Sequence, residues 1–204
     1  EYQYLKKIFS KKFVYIAASV HENETEIFFN LHRRLLEKYP NTICIFAPRH
    51  PETCSKMISL LDDQPNNWSY LPNHEVNPNN NFFIVNEVGI LGTYFELSEV
   101  AIIGGSYDNI GGHNPIEAIQ KNCIVLHGKN IQNFNEVYDT LDMLKCSFLA
   151  NNTDSLIRKI EDFILQPNET QDILQNINTT IKKKKIIVET EIVNILNNEL
   201  GEIR

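Results

Sequence analysis

One stretch, Gly104 to Glu117, carries most of the sequence's candidate binding groups and reads GGSYDNIGGHNPIE. Two glycine pairs flank a short loop: Gly104-Gly105 before Ser106, and Gly111-Gly112 before His113-Asn114-Pro115. Glycine lets a backbone come close to a ligand, and proline suits the first turn of a helix, where its missing N–H is no loss. A helix opening at Asn114 would offer unpaired amides and the positive end of its dipole, a place for an anion and above all for phosphate. Two ordinary glycine turns around a loop are the alternative. Glu117, just inside that helix, has two acceptor oxygens that suit vicinal ribose hydroxyls. As a first-turn acid it would equally steady the helix dipole by about 0.3–1 kcal/mol, and spacing alone does not separate the two roles.

Arg49 stands between Pro48 and His50-Pro51, a stiff frame for a guanidinium whose fork suits phosphate or carboxylate. A plain surface arginine would read the same way. His21, His50 and His113 lack the spacing of a metal site, and His32, His74 and His127 have no supporting context. There is no D-x-D pair and no G-x-x-x-x-G-K-[ST] loop. Neither a metal nor a cofactor is expected.

These residues need elements to position them. Short apolar runs at Phe13–Ala18, Thr42–Ala47, Trp68–Leu71, Phe82–Val85, Val100–Ile103, Cys123–Leu126 and Ser147–Ala150 read as strands. Between them, helical spacing runs over Glu24–Lys38, where Ile27, Phe28, Leu31, Leu35 and Leu36 share a face. Further helices are expected at about Glu52–Leu61, Leu91–Leu97, Asn114–Gln120, Phe134–Leu144 and Thr153–Leu165, with a C-terminal helical segment over 169–200. Short buried strands alternating with helices predict an α/β fold, a Rossmann-like doubly wound parallel sheet with helices on both faces. Ser19-Val20-His21, Pro48-Arg49-His50 and Gly104-Gly105-Ser106 each follow a strand directly. Ligands of such sheets bind beyond the carboxyl ends of the strands, so these three loops are expected to face one crevice.

A chain of 204 residues, 42% hydrophobic and 22% charged, fits a single soluble domain spanning 1–204. The net charge of −7 argues against a nucleic-acid-coating surface. Cys44, Cys54, Cys123 and Cys146 show no CxxC spacing, which points to a reducing compartment without disulfides or structural zinc. No apolar stretch approaches the roughly 20 residues of a membrane span. The chain opens at Glu1 rather than at methionine and enters a strand-like run almost at once, as an excised domain would. The lysine run Lys182–Lys185 reads as a solvated helix face, with contact to an anionic membrane as the lesser alternative.

The GGS of 104–106 with the GGHNPIE of 111–117 closely resembles the GGS…GGHNPLE signature of bacterial 3-deoxy-D-manno-octulosonic acid (Kdo) transferases. Pro48–Glu52 (PRHPE), Ala18–Glu24 (ASVHENE) and Asn133-Phe134 are similar to further segments of that family, and the similarity runs from about residue 13 to about 160. Val20 and Asn23 stand where the family has threonine and glycine. Ile90 replaces an acidic residue, and Tyr107–Ile110 is less basic than usual. The resemblance implies a GT-B architecture of which this chain is the C-terminal, donor-binding domain. It implies that Ser19, Arg49, Gly105, Ser106, Gly111, Gly112, His113, Asn114, Glu117 and Asn133 surround CMP-Kdo, the glycine loop holding phosphate and Glu117 the ribose. It further implies inverting transfer of Kdo to a lipid A precursor at the cytoplasmic face of the bacterial inner membrane. The catalytic base of the family belongs to the N-terminal domain, so none is assigned in this chain, and the chain alone is expected to be soluble and inactive. Two other readings are a GT-B protein using a UDP-sugar, either a glycosyltransferase or a 2-epimerase, and a non-catalytic α/β interaction module.

Overall fold

The computed structural model describes residues 2–59, 68–71, 76–85, 87 and 89–183. His74, Asn86, Val88, Lys184-Lys185 and the expected helix ends beyond residues 59 and 183 lie outside the described residues. Among the described residues seven strands form one sheet in the order β3-β4-β2-β1-β5-β6-β7. They are β1 (Phe13–Val20), β2 (Thr42–Pro48), β3 (Trp68–Leu71), β4 (Phe82–Val85), β5 (Val100–Ile103), β6 (Ile124–His127) and β7 (Ser147–Leu149). Every neighbouring pair is parallel. Strands β2, β4, β5 and β6 are buried along their whole length. That is why they read as unbroken apolar runs rather than as alternating ones.

Parallel pairing requires a crossover between successive strands. The helices are α1 (Tyr2–Phe9), α2 (Thr25–Lys38), α3 (Cys54–Ser59), α4 (Leu91–Phe95), α5 (Ile116–Gln120), α6 (Asn135–Met143) and α7 (Thr153–Leu165), followed by α8 over 167–183. Helix α2 buries Phe28, Leu31 and Leu35, the face expected from their spacing. It also packs beside α7, where Arg34 meets Asp154 at 2.6 Å and Lys38 meets Glu161 at 2.9 Å. These exposed pairs orient the helices more than they stabilise them. The start of α7 is capped by Asn152, whose side chain accepts from the Ser155 amide at 2.9 Å.

The structure adds α1, which sequence spacing did not reveal. Leu5 and Phe9, four residues apart, are buried, and Phe9 packs on Phe83 of β4 with ring centroids 5.1 Å apart. Helix α5 begins at Ile116, two residues later than expected. All four cysteines are buried and unbonded. Among the described residues no helix is long and apolar enough to cross a membrane.

The strand order fixes where the site lies. The chain leaves β1 towards β2, β4 and β3, then returns to β5 on the other side of β1. The reversal between β1 and β5 opens a crevice at their carboxyl ends. Ser19 and Gly104-Gly105 stand there.

Candidate functional site

At the crevice the ends of β1 and β5 touch. The register of β1 against β2 shifts between Ala18 and Val20, and Ser19 takes a left-handed backbone with φ 57°. Such a conformation costs a residue other than glycine about 1–3 kcal/mol and persists only where neighbours impose it. Here the neighbour is Gly104, whose amide donates to the Ala18 carbonyl at 2.8 Å. A Cβ on Gly104 would lie 2.5 Å from the Ser19 carbonyl oxygen, so only glycine fits.

The loop that follows hangs on a buried carboxylate. Glu24 has no solvent exposure. One of its oxygens accepts from the Gly105 amide at 2.8 Å and the His21 amide at 3.0 Å; the other accepts from the Tyr107 amide at 3.0 Å. Three backbone donors satisfy a charge that would otherwise be costly to bury. Glu24 belongs to the ASVHENE stretch, yet sequence reading gave it no role, because nothing in that stretch shows which distant amides it will meet.

The second glycine pair is built as tightly. Gly111 and Gly112 both have positive φ, 100° and 79°. The Gly112 amide donates to the Gly105 carbonyl at 2.9 Å, which folds the loop back on itself. Asn133 donates from its amide nitrogen to the Ile110 carbonyl at 3.0 Å, and its backbone N–H to the Gly111 carbonyl at the same distance. The Ser106 hydroxyl is fully buried; it donates to the Ile103 carbonyl at 2.6 Å and accepts from the Gly128 amide at 2.8 Å. Ser106 thus acts from behind the crevice, and Asn133, itself exposed, braces the second glycine pair. Asn114 accepts from the Ile116 amide at 3.0 Å and starts α5. With only five residues, that helix has a weak dipole. The backbone amides of Gly111, His113 and Asn114 donate to no group among the described residues, and they rather than the dipole are the anion donors on offer.

His113, within that stretch, is joined by histidines from the other two loops. Nε2 of His21 lies 2.8 Å from Nε2 of His113; the ring planes are 9° apart and the centroids 5.0 Å apart, so the rings meet edge to edge and nearly coplanar. His50 meets the edge of His21 at 6.0 Å between centroids. The Arg49 amide donates to the Val20 carbonyl at 2.9 Å, which fixes this loop on the end of β1. Burial first, then His21 and the Arg49 guanidinium, depress the His113 pKa to about 4. His21 is lowered as well, chiefly by burial. Arg49 therefore lies on the same side of the molecule as the Gly111–Asn114 backbone. Among the described residues no three His, Cys, Asp or Glu side chains are grouped as a metal ion would need.

Two of the sequence's departures from the resembled signature meet each other. The Asn23 amide donates to the Asp108 carboxylate at 2.9 Å and clips the β1 loop to the β5 loop. Glu117 is exposed at the start of α5. A Cβ on Gly92 would lie 2.9 Å from its carboxylate oxygen, which places Glu117 against the first turn of α4. Beside Arg49 a groove lined by Ser19, Pro48, Val85, Glu87 and Leu91 continues the crevice towards β4.

No protein-family model matches the chain. It is 32% identical over 164 residues to the 3-deoxy-D-manno-octulosonic acid transferase of Haemophilus influenzae, a match that takes in 80% of this chain and 38% of the relative. By sequence, this chain is a relative of the Kdo transferases. It spans well under half the length of that relative. Solved structures share the fold. The C-terminal CMP-Kdo binding domain of WaaA from Acinetobacter baumannii superimposes with a TM-score of 0.78 at 18% identity, over 89% of this chain and 99% of that one. UDP-GlcNAc 2-epimerase from Neisseria meningitidis superimposes with a TM-score of 0.57 at 16% identity, over 93% of this chain and 48% of the other. At such identities the likeness shows the fold, a GT-B-like α/β domain.

Proposed function

We propose that this chain is the donor-binding half of a Kdo transferase and that it holds CMP-Kdo in the crevice between β1 and β5. The observation that carries the reading is the contact of His21 with His113, inside the Gly111–Asn114 stretch, with the Arg49 loop held on the end of β1 close enough to influence both rings. The phosphate takes the amides of Gly111, His113 and Asn114 on one side and the Arg49 guanidinium on the other. Glu117 accepts from the ribose hydroxyls, and the groove beside Arg49 receives the nucleoside. A cation and fixed amides at the leaving phosphate stabilise the charge that develops there as its bond to Kdo breaks, without reorganising at the moment of reaction. The acceptor is a lipid A precursor, displacement is in line and inverting, and the whole enzyme works at the cytoplasmic face of the inner membrane. No described residue is given the role of catalytic base; that role falls to the remainder of such an enzyme.

Calorimetry with CMP and UMP tests the reading. CMP is expected to bind in preference to UMP, and Arg49→Ala and Glu117→Ala each to weaken it roughly tenfold to a hundredfold, the loss of a charge-assisted hydrogen bond of about 1.5–3 kcal/mol. A preference for UMP would move the assignment to a UDP-sugar protein. Failure to bind either nucleotide would leave an interaction module.

A further inference from the structure

The bond between His21 and His113 restricts where protons can sit. At 2.8 Å between the two Nε2 atoms, one nitrogen carries the hydrogen and the other accepts it. In a neutral pair the rings are therefore opposite tautomers. The donor ring has a bare Nδ1, and the acceptor ring is protonated at Nδ1. A further proton can go only to that bare Nδ1, because two hydrogens on the bridge would oppose each other. The pair can be neutral or carry one positive charge, and both states keep the bond.

The surroundings set which state prevails. From the loop after β2, Arg49 and His50 disfavour a charge on the pair; from the turn after β1, Glu24 favours one, and so does Asp108 from the loop after β5. Tyr138 of α6 donates to the His113 carbonyl at 2.8 Å and leaves the ring alone. Burial is the largest influence, and it depresses His113 to about 4 and lowers His21, with Arg49 acting in the same direction on both. The pair is neutral near neutrality. An anion placed beside Arg49 supplies the missing negative charge and reverses that balance.

We propose that the His21–His113 pair is a proton-linked phosphate site: nucleotide binding is accompanied by uptake of one proton onto the pair, and the resulting shared imidazolium holds the phosphate together with Arg49. The proton comes from solvent, forms an N–H bond at the bare Nδ1 and returns to solvent when the nucleotide leaves. Affinity therefore falls as pH rises. The inference rests on the nucleotide reading of the crevice.

The test is calorimetry of the 204-residue chain with the methyl ester of CMP, whose phosphate has no proton to gain near neutrality. Titrations are run in buffers of differing ionisation enthalpy. Proton uptake per ligand is expected to rise towards about one as pH falls from about 8 to about 6. His21→Gln and His113→Gln should each cut that uptake several-fold. Nitrogen NMR of the wild-type imidazoles reads the same event without a substitution, as an Nδ1 signal that moves to the protonated position when ligand is added. Binding with buffer-independent heat, uptake that survives in His21→Gln, or an unmoved Nδ1 signal each overturns the inference while leaving the nucleotide site standing. If neither CMP nor its ester binds, the nucleotide reading falls and this inference with it.

Discussion

Glu24 has no exposure, and its two oxygens receive the amides of His21, Gly105 and Tyr107. Glutamine is nearly isosteric, but it would set an NH2 against at least one of those N–H donors. Glu24→Gln is expected to destabilise the fold by about 1–3 kcal/mol, read from urea unfolding, and to weaken CMP binding because both glycine-loop anchors depend on it. Gly111 makes the complementary case by geometry. A Cβ there would fall 2.5 Å from the Asn133 amide nitrogen, on a backbone with φ of 100°. Gly111→Ala should cost about 1–3 kcal/mol and displace the Asn133 side chain that braces the loop. A melting temperature equal to wild type would mean that the loop has slack the structure does not show. Arg49 and Gly104-Gly105 were legible as candidates because they directly follow strands, and Gly111-Gly112 and Glu117 because they flank a helix start. Glu24 was not, since an acid before an amphipathic helix reads first as a helix-start residue.

At the scale of elements, the strands and α2 followed from apolar runs and from the Phe28, Leu31, Leu35 face, because a parallel sheet buried on both sides leaves few other places for such residues. Two helices did not read as clearly. Helix α1 has eight residues, only Leu5 and Phe9 among them buried, and a lysine pair between those two. A single apolar pair at i,i+4 hides inside such a short charged segment. Its weight is nonetheless testable: Leu5→Ala is expected to destabilise by about 2–5 kcal/mol, measured by thermal unfolding, whereas a loosely attached helix would give almost no change. Helix α5 starts later than its Gly-Gly-His-Asn-Pro approach suggests, because the Asn114 side chain takes the Ile116 amide and closes the turn itself. The anion donors thus shift from the helix to the loop ahead of it.

Across the whole molecule, burial sets a pH dependence that is independent of the crevice. His32 lies in the core between Tyr15 and Asn81, and burial lowers its pKa to about 4. In the unfolded chain a histidine titrates near 6.5, at about pH 6 to 7. Acid therefore protonates the unfolded chain first: stability is full above that range and declines as pH falls towards 4. By about pH 5 the loss from His32 is about 2 kcal/mol, and His32→Gln should flatten that part of the curve in denaturant melts at several pH values. A slope unchanged by the substitution would place the titrating group elsewhere.

Convergence of three loops on one crevice was legible, since it follows from strand order in a doubly wound sheet. Their contacts were not: His21 and His113 are 92 residues apart, and no local pattern pairs them. The central claim is that these loops together hold the anionic part of a nucleotide donor. Chemical-shift mapping of the isotope-labelled chain with CMP tests it most directly. The largest shifts are expected at Ser19, His21, Arg49, Gly111–Asn114 and Glu117; shifts confined to the opposite end of the sheet, or none at saturating CMP, would rule out a shared nucleotide site there.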